Sequence, residues 1–453
     1  MEAKIKDIFF TWKRIEATSI ILLSASGSNR KYFRVRWTEN INCVNEAGEE
    51  RKANGANEGR RAGDSSERHC IAVFNEDIVE NNAYLNYSKQ LIDKNLPVPK
   101  ILYIPDDKRI YFVEDLGDTT LFSIVESSHD IRTLTKIYKN AIDDLQRFQI
   151  DGGKNFDYTN AFPIATFGRQ AMLWDLNYFK YMFLRLSNIP FSETALDNDF
   201  NTLIDIVEKQ PSNYFLFRDF QSRNIMVQNA TTLRYIDFQG GRQGALQYDL
   251  ASLLYDAKAN LPEEFRSEML QYYVKKLAEN YPQEFSKTSE KTFKETFYGF
   301  VLLRILQAMG TYGYRGLYEK KQLFIQSISY AVKNLQRLKI FPLPEINRLI
   351  DYLGGEVSPC GQASPAEKTT VETTHSDHFH PNVCAISNIL QRGGSCPTPS
   401  AGDTPATPPS PRTAPPTPTH ATPHHTTPQP TLASAPRAAT TAYQPTPPAP
   451  ASG

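Results

Sequence analysis

Asp219 and Asn224 lie five residues apart in FLFRDFQSRNIMV, and Asp237 follows eighteen residues after Asp219, at the end of LRYID. An acid in such a loop can accept or orient the proton of a hydroxyl group. Asn224 and Asp237 supply hard oxygens of the kind that hold magnesium. Together they meet the needs of phosphoryl transfer, which asks the protein for positioning and charge more than for covalent chemistry. A polar hairpin with an Asx turn is the plainer account, and any one acid alone would favour it. The three together, in this spacing and beside apolar runs, favour the chemistry.

Two further segments carry polar groups that suit a bound substrate. In SASGSNRKYFRV, Gly27 would let the backbone approach a phosphate, and Ser28, Asn29 and Arg30 add donors. The same residues are good chemistry for an ordinary hairpin turn. The aromatic run Trp174, Tyr178, Phe179, Tyr181, Met182 and Phe183 offers a platform for stacking a sugar, although its spacing also suits a helix face in a core. Trp174, Asp175 and Asn177 are the candidate substrate contacts there, with Arg185 beside them. Arg304 and Arg315, near the end of the same helical region, could reach the same place.

The elements that must position these groups change along the chain. Strand-like runs cluster early, in SIILLSAS, KYFRVRW, CIAVFN and RIYFVED, with a helical stretch, EDIVENNAYLNYSKQLIDKN, among them. After about Asp130 the pattern turns helical, except for NYFLFRDF and LRYIDFQ, which flank QSRNIMVQNATT with a turn expected at Asn229. Between the second and third strand runs, residues 39–68 are rich in Gly, Asn, Glu and Arg and read as a long polar, disordered insertion. Residues 356–453 hold twenty of the thirty prolines, with Phe379 and Tyr443 as their only aromatics. Such a segment cannot bury enough apolar surface to offset its ordering entropy, so it reads as a disordered tail.

Composition narrows the function class. Fifty basic residues balance fifty acidic ones, which gives no footprint for nucleic acid. No run is long and apolar enough for a membrane span, and the N-terminus lacks a signal-peptide core, so a cytoplasmic protein is expected. Five cysteines at 43, 70, 360, 384 and 396 form no CxxC pair and indicate neither a zinc site nor a disulfide framework. His375, His378 and His380 cluster in the tail without a scaffold to hold a metal.

The run FRDFQSRNIMV…YIDFQGGRQGALQYDLASLLYDAKA resembles the core of the aminoglycoside/choline phosphotransferase superfamily. DFQSRN, IDFQGGR and WDLNYFKYMFLRLSNIPF are similar to its bacterial branch of N-acetylmuramate/N-acetylglucosamine anomeric kinases, and the likeness spans about residues 5–350. The resemblance implies an α+β, bilobal protein-kinase-like fold. Residues 1–115 would form a small nucleotide-binding lobe, 116–355 a larger helical lobe, and 356–453 the tail. It implies ATP and magnesium, with Asp219 as catalytic acid–base and Asn224 and Asp237 as metal ligands. Gly27, Ser28, Asn29 and Arg30 would face phosphate, and the backbone of Glu114, Asp115 and Leu116 would face adenine. Arg218 and Asp249 would support the catalytic loop; Asp249 also reads as a helix N-cap.

Three departures from the pattern stand out. Phe217 replaces the usual His before Arg218, and Gln239 stands where protein kinases carry Gly. The third strand, CIAVFNED, has no Lys to grip phosphate opposite the helix acid, for which Glu80 is the candidate. Arg30 or main-chain donors are expected to take over that task. The implied acceptor is the anomeric hydroxyl of an amino sugar. An antibiotic- or choline-type kinase, or a nucleotide-binding pseudokinase adaptor acting through its tail, are the alternatives. A small-molecule substrate is the expected partner, with no nucleic acid, no membrane and an unidentified partner for the tail.

Overall fold

The computed structural model describes residues 1–23, 30–40, 65–127, 130–229 and 231–355. Helix α1 (Glu2–Lys13) precedes strands β1 (Ser19–Leu22), β2 (Lys31–Asn40) and β3 (Ser65–Phe74). Helix α2 (Ile78–Asp93) leads to β4 (Ile101–Tyr103) and β5 (Ile110–Glu114), completing an antiparallel sheet in the order β1-β2-β3-β5-β4. The expected strands and helix are present, and β4 is an addition. Glu39 and Asn40 pair with Ser66 and Ser65, so both ends of the 39–68 stretch belong to strands. Its remainder, 41–64, and the tail from 356 lie outside the described residues.

Alternation along β3 explains the two faces of the sheet. Cys70, Ala72 and Phe74 point one way, into a cluster with Ile5 and Phe9 of α1 and with Phe33, Val35 and Trp37 of β2. Ile71 and Val73 point the other way, with Tyr111 and Val113 of β5. A period of two on a sheet buried on one side by a helix requires this split. Trp12 of α1 stacks on Tyr103 of β4, at 5.2 Å between ring centroids. Cys70 is fully buried, and burial pushes its thiol up to about 12.

The larger helical part follows. It opens with α3 (Leu121–Ser127), α4 (Ile131–Gln146), α5 (Arg169–Phe179) and α6 (Glu193–Val207). Two short hairpins interrupt it. Strand β6 (Tyr214–Leu216) does not pair with the LRYID run, as its similar apolar character would have allowed. It pairs with β9 (Arg242–Gly244), while β7 (Ile225–Gln228) pairs with β8 (Thr232–Tyr235). Asn229 makes the turn with φ of 47°. Helices α7 (Leu246–Leu254), α8 (Glu263–Asn280), α9 (Pro282–Phe285), α10 (Glu290–Tyr312), α11 (Gln322–Leu335) and α12 (Pro344–Gly354) complete the chain.

Helix α10 runs through the centre of this part, burying Phe293, Phe297, Phe300, Leu303, Leu306 and Met309. Both α5 and α10 continue into a π-helical turn, and there the two backbones nearly touch. A Cβ on Gly313 would fall 1.8 Å from the carbonyl oxygen of Met182. Glycine at 313 is therefore what lets α10 lie close enough to deliver Arg304 and Arg315 to the cleft described next. No helix among the described residues is long and apolar enough to cross a membrane.

Candidate active site

A cleft of about 660 Å³ opens between the sheet and the helical part. Its floor comes from the segment between β6 and β8. Asp249, one turn into α7, accepts the backbone N–H groups of Phe217 (2.7 Å) and Arg218 (2.9 Å). The N-cap expected of Asp249 is thus corrected: Ala245 precedes the helix, and the Asp249 side chain reaches sideways to the loop. Complete burial pushes the Asp249 carboxyl up to about 7, even though both hydrogen bonds favour its charged form.

Arg218 adopts a left-handed backbone with φ of 82°. Its guanidinium donates to both oxygens of Asp175, at 2.7 and 2.6 Å, and to the Tyr248 hydroxyl. This two-point fork fixes the loop in a way a lysine could not reproduce. Phe217 packs edge-on against Phe148, Phe220 and Phe238, so the position where His was expected is filled by aromatic packing.

These supports hold Asp219 at the cleft with its side chain partly exposed. Gln221 Nε2 donates to Asp219 Oδ1 at 3.2 Å, and a guanidinium nitrogen of Arg304 lies 3.6 Å from the same oxygen. Arg304 is itself fixed by Ser252 and Gln307. Asn224 Nδ2 donates to the Asp219 carbonyl (2.9 Å) and to Asp237 Oδ2 (3.3 Å). With its N–H groups so used, the Asn224 carboxamide oxygen is the atom available to a cation. Asp237 has φ of 70°, and burial followed by the nearby Asp219 raises its carboxyl above the usual range.

Asn224 and Asp237 supply two hard oxygens, and no group of three or more His, Cys, Asp or Glu side chains suited to a metal occurs among the described residues. That donor set fits a magnesium ion that keeps water or phosphate oxygens as its other ligands, and does not fit an all-protein metal cage.

At the opposite end, Glu114, Asp115 and Leu116 line the cleft where β5 leaves the sheet, followed by Gly117 with φ of 86°. The two carboxylates are each committed to an arginine. Arg234 donates to Glu114 (2.7 Å), and Arg34 makes a two-point pair with Asp115 (2.5 and 3.1 Å) and reaches Asp118. Burial alone would raise both carboxyls, but these arginines hold each below its ordinary value. Pinning the side chains leaves backbone groups as what this segment can offer a flat ring.

Arg30 is buried, 2% exposed, at the start of β2, with a guanidinium nitrogen 3.4 Å from Glu80 Oε1. Asp77 caps α2 by accepting the N–H groups of Val79 and Glu80, which sets Glu80 in the first turn, within reach of Arg30. The cleft-facing positions of β3 are Ile71 and Val73, neither of which can supply a cation. Gly27, Ser28 and Asn29 lie outside the described residues. Trp174, Asp175 and Asn177 do not line the cleft, and Asp175 is committed to Arg218. The geometry of the cleft gives no support to the expectation that they meet substrate. Aromatic spacing on α5 reflected packing, with Trp174 on the outer face. Arg34, Arg234 and Gln221 were missed, because their roles depend on partners far apart in sequence or on side-chain direction.

Residues 80–284 match the family model described as phosphotransferase enzyme family. Over those residues the chain is similar to that family. It is 28% identical over 195 residues to the N-acetylmuramate/N-acetylglucosamine kinase of Neisseria meningitidis serogroup B, a match covering 41% of this chain. The chain spans about half (54%) of that curated relative's length. Among solved structures, it is similar to the ADP-bound aminoglycoside phosphotransferase APH(2'')-Ib at 14% identity and a TM-score of 0.49, covering 75% of this chain and 100% of that one. Choline kinase LicA from Streptococcus pneumoniae is similar at 13% identity and a TM-score of 0.45, covering 74% and 98%.

Proposed function

We propose that this chain transfers the γ-phosphoryl group of ATP to a hydroxyl of a small molecule, and that the acceptor is an amino sugar phosphorylated at its anomeric position. The observation that carries the reading is the convergence of Asp219, Asn224 and Asp237 at one end of a cleft whose other end is a backbone-lined segment, Glu114–Leu116. In this reading Asp219 takes the proton of the acceptor hydroxyl as the oxygen–phosphorus bond forms. The bond from the γ-phosphorus to the bridging oxygen breaks, and ADP leaves with that electron pair.

Asn224 and Asp237 would hold magnesium, which when bound screens the phosphate charge. Arg30, held beside Glu80, would face the nucleotide phosphates in place of a strand lysine. Arg304 would hold Asp219 in line. The acceptor would lie against α10 and the turn that follows it, where Arg304, Gln307, Thr311 and Arg315 line the wall.

That wall bears on the acceptor. A polycationic aminoglycoside needs matching carboxylates, whereas arginines and amides suit a hydroxyl-rich neutral or acidic sugar. The wording of DFQSRN, IDFQGGR and WDLNYF, and the name of the curated relative, support the amino-sugar choice. Turnover of ATP with N-acetylmuramate, N-acetylglucosamine, choline and kanamycin, with and without magnesium, tests it. Magnesium-dependent phosphorylation of either sugar, with kanamycin and choline ignored, is expected. Efficient turnover of kanamycin with neither sugar accepted would refute the substrate class, and no turnover of any acceptor would refute the enzyme.

A further inference from the structure

Helix α2 of the small part and the strand end of the large part meet at a single nitrogen. Gln239 Nε2 donates to Asp237 Oδ1 at 2.8 Å and to Glu80 Oε1 at 3.3 Å. Asn75 Nδ2 donates to the other Glu80 oxygen at 2.8 Å, and Arg30 approaches Oε1. The two carboxylates would repel one another at this spacing without a donor between them. Aromatic packing supports the junction from behind, with Tyr84 stacked on Tyr111 at 5.3 Å and on Phe238 at 4.9 Å.

The orientation of the Gln239 amide follows from its neighbours. Reversing it would place a carbonyl oxygen against two carboxylates. The oxygen is left buried, accepting no hydrogen bond from any described residue. A buried amide oxygen with no partner costs free energy, so the nitrogen's two bonds must be what the position is kept for. The choice of residue type is informative too. A lysine here would hold the carboxylates together but neutralise them. The amide holds them together and leaves the negative charge of Asp237 intact for a cation.

We propose that Gln239 is a positioning residue that ties Asp237 to Glu80 of α2 and so orients the cation-holding carboxylate of the cleft. This rests on the nucleotide-dependent reading above. Loss of a group that orients a metal ligand typically lowers metal affinity by about 10- to 100-fold.

The test is calorimetric titration of ATP, in magnesium and in EDTA, into the full chain and into Gln239→Met, Gln239→Glu, Glu80→Gln and the double variant Gln239→Met with Glu80→Gln. Gln239→Met is expected to lose about 10- to 100-fold in magnesium-dependent affinity and to stay within about twofold of the parent in EDTA. Gln239→Glu, which replaces the donor with a third carboxylate, should lose at least as much, and it carries the test if the methionine variant fails to fold. The double variant should cost little more than the worse single change, because both break one bridge. Parental magnesium dependence in both Gln239 variants, an equal loss with and without magnesium, or additive effects would overturn the proposal while leaving the nucleotide reading standing. A parent that binds no nucleotide would overturn both.

Discussion

Two regions of the cleft, the acid end and the surroundings of Arg30, are built in opposite ways. At the acid end, Asp219, Asn224 and Asp237 come from one stretch of chain, supported by hydrogen bonds within it and by groups of the helical part, namely Asp249, the Arg218–Asp175 pair and Arg304. Around Arg30, the ion pair with Glu80 spans fifty residues, joins the start of β2 to α2, and is linked to Asp237 through Gln239. A network closed within the helical part tolerates motion of the sheet, whereas the other region depends on where α2 sits. Under the proposed function, Asp219 should therefore govern rate, and Arg30 should govern binding.

Asp219→Asn tests the first half and should have the largest effect. Turnover should fall by about 100- to 10,000-fold, the usual contribution of a general base, with ATP affinity within about twofold of the parent. End-point turnover assays alongside calorimetry measure both, and parental turnover in the Asp219→Asn variant would remove Asp219 from its proposed role. Arg30→Met tests the second half. It should weaken ATP binding by about 10-fold, in line with the loss of one charge-assisted contact, with Arg30→Lys recovering part of it. If Arg30→Met lowered turnover at saturating ATP and left binding unchanged, the division of labour between the two regions would be wrong.

The smallest expected effect concerns Asp249, a support of the acid end. Its carboxyl is raised to about 7 in the folded chain, against about 3.9 for an unfolded aspartate. Below about pH 4 both states hold the proton. Between there and pH 7 the folded state still holds it and the unfolded state does not, so stability drawn from this group is lost as pH rises through 7. Thermal melts of the parent and of Asp249→Asn from pH 4.5 to 8.5 should show the parent's advantage shrinking with rising pH. A gap that widens with pH would contradict the raised value.

Much of the acid end was legible because its chemistry and its spacing share one segment, FRDFQSRNIMV through YID. The strands of the sheet other than β4 were legible from their apolar, strand-like runs, and α2 from its helical period. The pairing of β6 with β9 was not, since β9 is the three residues Arg242–Gly244, with no apolar side chain and no strand signal of their own. The role of Asp175 was hidden for a related reason. A carboxylate beside exposed aromatics reads as a sugar contact until Arg218, distant in sequence, is seen to claim it. Gln239 was visible only as a departure from a glycine, and its two partners become apparent once α2 and β8 are brought together.

Helix α1 closes over one face of the sheet and seals Cys70 beneath Phe9 and Trp37. A thiol that is both fully covered and held near 12 has almost no thiolate to offer a reagent while the sheet is closed. In a chain whose Cys43, Cys360, Cys384 and Cys396 are replaced by serine, labelling of Cys70 would thus act as a clock for the rare moments when α1 lifts away. Its ticking rate, read with and without nucleotide, would tell how tightly a ligand in the cleft clamps the far side of the sheet.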